Sequence, residues 1–79
     1  MKTNVYKFEL DNGNSRYAVG TSVSISKYGL VYVHDETGAK IEILPKQRIV
    51  KSYVAKFNTK EEAYRFYAQK LGVVKEWRY

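Results

Sequence analysis

The chain has 79 residues, with 14 Lys or Arg against 8 Asp or Glu for a formal charge of +6, no cysteine and one histidine. Folding a chain of this mass buries roughly 63% of what the unfolded chain exposes, which supports one modest core and no second. Disulfide frameworks, thiolate metal cages and His-rich metal sites are excluded, so the apolar residues alone must carry the fold.

The composition reads as a single domain over residues 1–79, divided into a β-rich part over 1–57, a helix over 59–71 and a short strand or docked tail over 73–79. Charges interrupt Met1–Glu9 every second or third residue, so a signal peptide is not expected there. The longest apolar run, Leu30-Val31-Tyr32-Val33, is far below the ~20 residues of a membrane span. A cytoplasmic protein with no membrane contact is the expectation.

Apolar and polar residues alternate with a period of two through the first half, the pattern of half-buried antiparallel strands. Asn12-Gly13 suits a two-residue type I′ turn in which Asp11 pairs with Asn14. Phe8 is then expected opposite Tyr17, Tyr6 opposite Val19 and Glu9 opposite Arg16. Ser26-Lys27-Tyr28-Gly29 and Asp35-Glu36-Thr37-Gly38 share another form, a polar starter with glycine in fourth place, which fits a type I turn closed by a left-handed residue. These turns predict Ile25 against Val31, Val23 against Val33, Val33 against Ile41 and Val31 against Ile43. The three registers agree on one buried face: Tyr6, Phe8, Tyr17, Val19, Val23, Ile25, Val31, Val33, Ile41 and Ile43.

The second strand, about residues 15–25, is expected to bend at Gly20. Pro45 breaks the ladder, and a fifth strand of mixed alternation runs from about Arg48 to Phe57. Thr59 and Glu62 form a capping box that opens a helix. Its apolar stripe is Ala63, Tyr64, Tyr67, Ala68 and Leu71, with Phe66 at the edge and Gly72 as the C-terminal cap. Ala18, Gly20, Ser22 and Ser24 form a strip of small residues onto which this helix, or the segment carrying Trp77, is expected to pack, joined by Leu30 and Leu44 facing each other.

Catalytic chemistry finds little support. His34 falls on a strand opposite Lys40, and the run His34-Asp35-Glu36 does not converge on one ion, because adjacent strand residues point to opposite sides. There is no paired-carboxylate arrangement and no glycine-rich phosphate loop. A non-enzymatic protein without cofactor or metal is the expectation.

Charge is more informative. Lys40, Lys46, Arg48, Lys51, Lys56 and Lys60 stand against the single acid Glu42 between residues 40 and 60, a stretch that holds nearly all the excess. Lys46, Arg48 and Lys51 straddle the proline break and suit a rim for phosphate oxygens. Tyr32 is a candidate stacking platform for a base, and Tyr28, at a turn apex beside Lys27, a candidate partner contact. Lysines on an edge strand also serve solubility alone.

Four antiparallel strands, a proline break, a fifth strand and a terminal helix make an α+β domain: a small bent five-stranded antiparallel meander, or a barrel. The bent second strand and the short break before the fifth resemble an SH3-like or Sm-like small barrel over residues 1–57, without a diagnostic motif. The leading functional expectation is a basic module that binds nucleic acid through Lys46, Arg48 and Lys51. The alternative is a protein-binding inhibitor or adaptor of phage or mobile-element type, acting on an acidic surface through Tyr28 and Phe66. Edge-to-edge pairing into a homodimer is a further expectation about partners.

Overall fold

In the computed structural model, residues 2–71 are described. The expected terminal strand or docked tail over 73–79, the Gly72 cap and the Leu71 side chain lie outside what is described. The elements are strands β1 (Thr3–Leu10), β2 (Ser15–Gly20), β3 (Ser22–Ile25), β4 (Leu30–His34) and β5 (Lys40–Pro45), a 3₁₀ turn (Lys46–Arg48), β6 (Ile49–Phe57) and helix α1 (Lys60–Leu71). No helix among the described residues is long and apolar enough to cross a membrane.

The domain is α+β, but its strands form two three-stranded antiparallel sheets, ordered β2-β1-β6 and β3-β4-β5, and they are not closed into a barrel. The expected second strand is two strands, because the chain turns from one sheet to the other at Gly20-Thr21. A Cβ on Gly20 would lie 2.6 Å from the His34 carbonyl oxygen and 2.7 Å from Val33 Cγ1, so only glycine admits this approach. The Thr21 N–H donates to the same carbonyl at 2.8 Å.

Three layers result. On one face of the first sheet, Tyr6, Phe8 and Ala18 pack against Val31, Val33 and Leu44 of the second. On its other face Val5 and Val19 pack against Ala63 of α1, flanked by Tyr17, Phe57, Tyr64, Phe66 and Tyr67. The strip of small residues therefore receives the second sheet at Ala18 and Gly20, not the helix. Leu30 pairs with Pro45 and Leu44 with Val31. Phe66, expected at the stripe's edge, packs at a tilt against Phe57 with centroids 5.2 Å apart and is no free contact aromatic.

The turns at Ser26–Gly29 and Asp35–Gly38 close as read, with the Gly29 and Gly38 N–H groups donating to the Ser26 and Asp35 carbonyls at 3.1 and 3.0 Å. The first hairpin adopts the same form rather than type I′. Gly13 has φ +87° but Asn12 is not left-handed, the Gly13 N–H donates to Leu10 at 3.0 Å, and the Leu10 N–H donates to Asn14 at 2.8 Å. The register moves by one: Val5 meets Val19, Tyr6 meets Ala18 and Lys7 meets Tyr17. Tyr17 and Val19 thus face the helix, and Glu9 meets Ser15 instead of Arg16.

Two bulges complete the revision. Between β4 and β5, His34 pairs with Lys40 but Val33 with Glu42, leaving Ile41 extra; Leu44 goes inside, and Ile41 and Ile43 are exposed. Between β1 and β6, Leu10 pairs with Ile49 but Glu9 with Lys51, so Val50 is the extra residue. Ile25 against Val31 and Val23 against Val33 pair as expected, yet both β3 side chains are exposed because the first sheet does not reach over them. At the helix start the Glu62 N–H donates to the Thr59 hydroxyl at 3.2 Å, and that hydroxyl donates to Glu62 Oε1 at 3.0 Å.

Gly20→Ala is expected to destabilise by about 1–3 kcal/mol through overpacking at the corner. Thermal unfolding would show this as a midpoint several degrees lower; an unchanged midpoint would count against the close approach. Leu44→Ala is expected to lose about 2–5 kcal/mol and Ile43→Ala no more than about 0.5 kcal/mol. Denaturant unfolding showing the opposite order would restore the register without the bulge.

Candidate partner-binding cleft

The six basic residues of the 40–60 stretch do not form one face. Lys46 and Arg48 sit at the start of β6 and Lys60 beyond its end, separated by a nine-residue strand, or about 26 Å at ~3.3 Å per residue. Lys60 is held by Glu36 at 3.4 Å and Arg48 by Asp11 at 3.4 Å. Lys40 belongs to the second sheet, with its ammonium 4.3 Å from the centroid of the Tyr32 ring. One face of Tyr32 is therefore already occupied by a cation, and a stacking base would have to displace it. Lys56 stands exposed near the far end of β6.

Two of the candidates do meet. Lys46 and Lys51 line one cleft between β3 and β6, together with Val23, Ile25 and Val50. The cleft continues along β6 past Ser52 to Val54, with Tyr6 and Phe8 at its floor. Its apolar walls are open: Val50 is 66% exposed, Ile25 57% and Val54 51%. Among the described residues no acidic side chain lines it.

The opposite mouth, between β2 and β5, is bridged by an ion pair. Arg16, shifted to the sheet-facing side by the first hairpin, reaches Glu42 of β5 at 2.8 Å. Tyr17, Tyr64, Tyr67 and Ile41 line a second cleft that Glu42 borders. Burial, and then the charge of Glu42, push the Tyr67 hydroxyl above its usual range.

At the end of the domain that holds Lys46, Tyr28 stands 79% exposed with the Lys27 ammonium 5.3 Å from its ring. The Ser26 hydroxyl fixes this turn by accepting N–H bonds from Tyr28 and Leu30, each at 3.2 Å. The Lys46 N–H donates to the Gly29 carbonyl at 2.8 Å, which seats the 3₁₀ turn beside it. On the helix side of β6, Tyr53 lies between the Lys7 and Lys51 ammonium groups, each 5.3 Å from its centroid.

His34 and Asp35 make bonds within and beside their own turn. The Gly38 carbonyl can only accept, so His34 Nδ1 donates to it at 3.3 Å, and Nε2 shares a hydrogen bond with the Ser24 hydroxyl at 2.8 Å. Asp35 is spent on its own turn, accepting from the Thr37 hydroxyl at 2.6 Å, the Thr37 N–H at 2.8 Å and the Ala39 N–H at 3.0 Å. Among the described residues no cluster of three potential metal ligands occurs.

Sequence reasoning placed Val23 and Ile25 in the core and gave Val50 and Val54 no role, so the cleft's walls were missed. The only signal for them was the mixed alternation of the last strand.

The Thr37 hydroxyl is the main cause that holds the Asp35 carboxyl below its ordinary 3.8. Because the folded value is depressed, the turn's contribution is whole above pH 3.8 and fades as pH falls through the lowered value. A carboxyl NMR titration is expected to show a midpoint below 3.8 that rises in Thr37→Val; an unmoved midpoint would count against the hydroxyl. As for relatives, no family model, no curated protein and no solved structure matches the chain.

Proposed function

We propose that this chain is a small cytoplasmic binding module, without chemistry of its own, that grips an acidic protein partner through the cleft between β3 and β6. The observation that carries this reading is the open apolar wall of Val23, Ile25, Val50 and Val54 beside Lys46 and Lys51. Exposed aliphatic side chains gathered in one groove gain by covering one another with a partner's apolar residues. A sugar-phosphate chain offers no such gain, because nucleic acids are held by cations, hydrogen bonds and aromatic stacking. The two lysines add a preference for negative charge and speed encounter with an acidic surface.

With no cysteine to report on redox compartment, a cytoplasmic setting is the default. The bent β2–β3 run and the short break before β6 support the likeness to SH3-like and Sm-like modules, and an inhibitor or adaptor of phage or mobile-element type fits this size and charge. A second reading, nucleic-acid binding, is favoured by one observation: Lys27, the exposed Tyr28 and Lys46 cluster at one end of the domain.

The two readings separate in a pair of titrations, with a labelled acidic, valine-rich polypeptide and with a labelled single-stranded oligonucleotide. The polypeptide is expected to bind, and to weaken tenfold or more in Ile25→Ser and in a Lys46→Glu, Lys51→Glu double variant. Oligonucleotide binding that falls steeply with salt, depends on Tyr28 and Lys27 and ignores Ile25, with no polypeptide binding, would overturn the protein-binding reading in favour of the second.

A further inference from the structure

We infer that the cleft is completed by strand addition: an extended acidic peptide segment lies along β6, pairs with its outer edge through main-chain hydrogen bonds, and places alternate apolar side chains against Val23, Ile25, Val50 and Val54. This inference rests on the protein-binding reading and adds how the partner is held.

Among the described residues, strand β6 pairs only with β1, and β3 only with β4. Alternate N–H and C=O groups of an edge strand point away from its neighbour and form a ready template for another strand. Here both open edges border one cleft, while Arg16 and Glu42 tie the opposite mouth. The period-two alternation of the incoming strand lets one set of its side chains meet the apolar walls while the other set lies on the helix side of β6, where the Lys51 ammonium stands beside Tyr53. Charge selects the occupant. Lys46 lines the cleft, Lys51 borders it with its ammonium turned to Tyr53 on the helix side of β6, and Lys56 stands exposed further along the same strand, with no acid lining the cleft among the described residues. A second copy, itself at +6, would bring its own lysines to the same edge. An acidic segment neutralises them. Because main-chain bonds do not depend on side-chain identity, a simple alternating peptide suffices as probe.

The probe is a fluorescent octapeptide alternating valine and glutamate, followed by anisotropy, beside two twins N-methylated on the odd or on the even amides. The parent is expected to bind and to weaken in Ile25→Ser and Lys51→Glu. One twin is expected to lose tenfold or more in affinity and the other to be tolerated, since only one set of amides faces β6. On binding, amides within Ile49–Phe57 are expected to gain protection from hydrogen exchange in the unsubstituted protein, a readout that does not depend on any variant folding. If the parent binds with the same dependence on Ile25 and Lys51 but both twins match it, strand addition falls and the protein-binding reading stands. If the parent fails to bind at millimolar concentration, both fall. Sedimentation of the chain alone showing a dimer that Val54→Lys dissolves would assign the cleft to a second copy and overturn the acidic occupant.

Discussion

The close approach of Gly20 to the His34 carbonyl is the constraint on which the rest depends. At that corner the chain leaves one sheet and enters the other with backbone against backbone, and the Thr21 N–H uses the contact to satisfy the carbonyl that the crossing would otherwise bury unpaired. Val33, fully buried, presses on the same glycine from the second sheet. A side chain there would hold the sheets apart and open the core of Tyr6, Phe8, Ala18, Val31, Val33 and Leu44 to water.

Because the sheets meet at this corner, their remaining edges are not equivalent. At the β2 and β5 edges an arginine and a glutamate from different sheets come within 2.8 Å, in a setting where Glu42 is mostly covered. At the β3 and β6 edges no corresponding link exists among the described residues, and valines and an isoleucine are left facing water. The helix does not relieve this, since it is committed to the far side of β1 by Ala63 and the rings around Val5 and Val19. The open mouth is thus a consequence of the same packing that stabilises the domain. The excess charge divides in the same way. Arg48 and Lys60 are engaged by Asp11 and Glu36 and the Lys51 ammonium lies beside Tyr53, whereas Lys46 remains at the cleft.

The turns were legible because their chemistry is local: glycine in fourth place with a polar first residue closed two hairpins as read. The first hairpin was misread because Leu10 hides the same pattern, its starter being apolar, and Asn12-Gly13 fits two turn types that differ by one in register. The bulges at Ile41 and Val50 were illegible for a related reason. An extra residue in a strand keeps alternating apolar side chains on both sides of it, so Ile41, Ile43 and Leu44 compete for the core, and only the opposing sheet chooses. The helix face was misassigned because small residues at Ala18 and Gly20 permit close approach without naming what approaches.

Composition, turn chemistry and periodicity determined a cysteine-free α+β fold, with hairpins at three glycine turns, a proline break and a capped helix after Thr59. These follow from interactions within a few residues of chain. Which face of each strand was buried, which sheet covered Gly20, and which lysines stayed unpaired were decided by tertiary structure alone. Each of these depends on groups far apart in sequence, as Arg16 and Glu42 are, and a shift of one residue at Gly13 was enough to bring that pair together and leave the other mouth open.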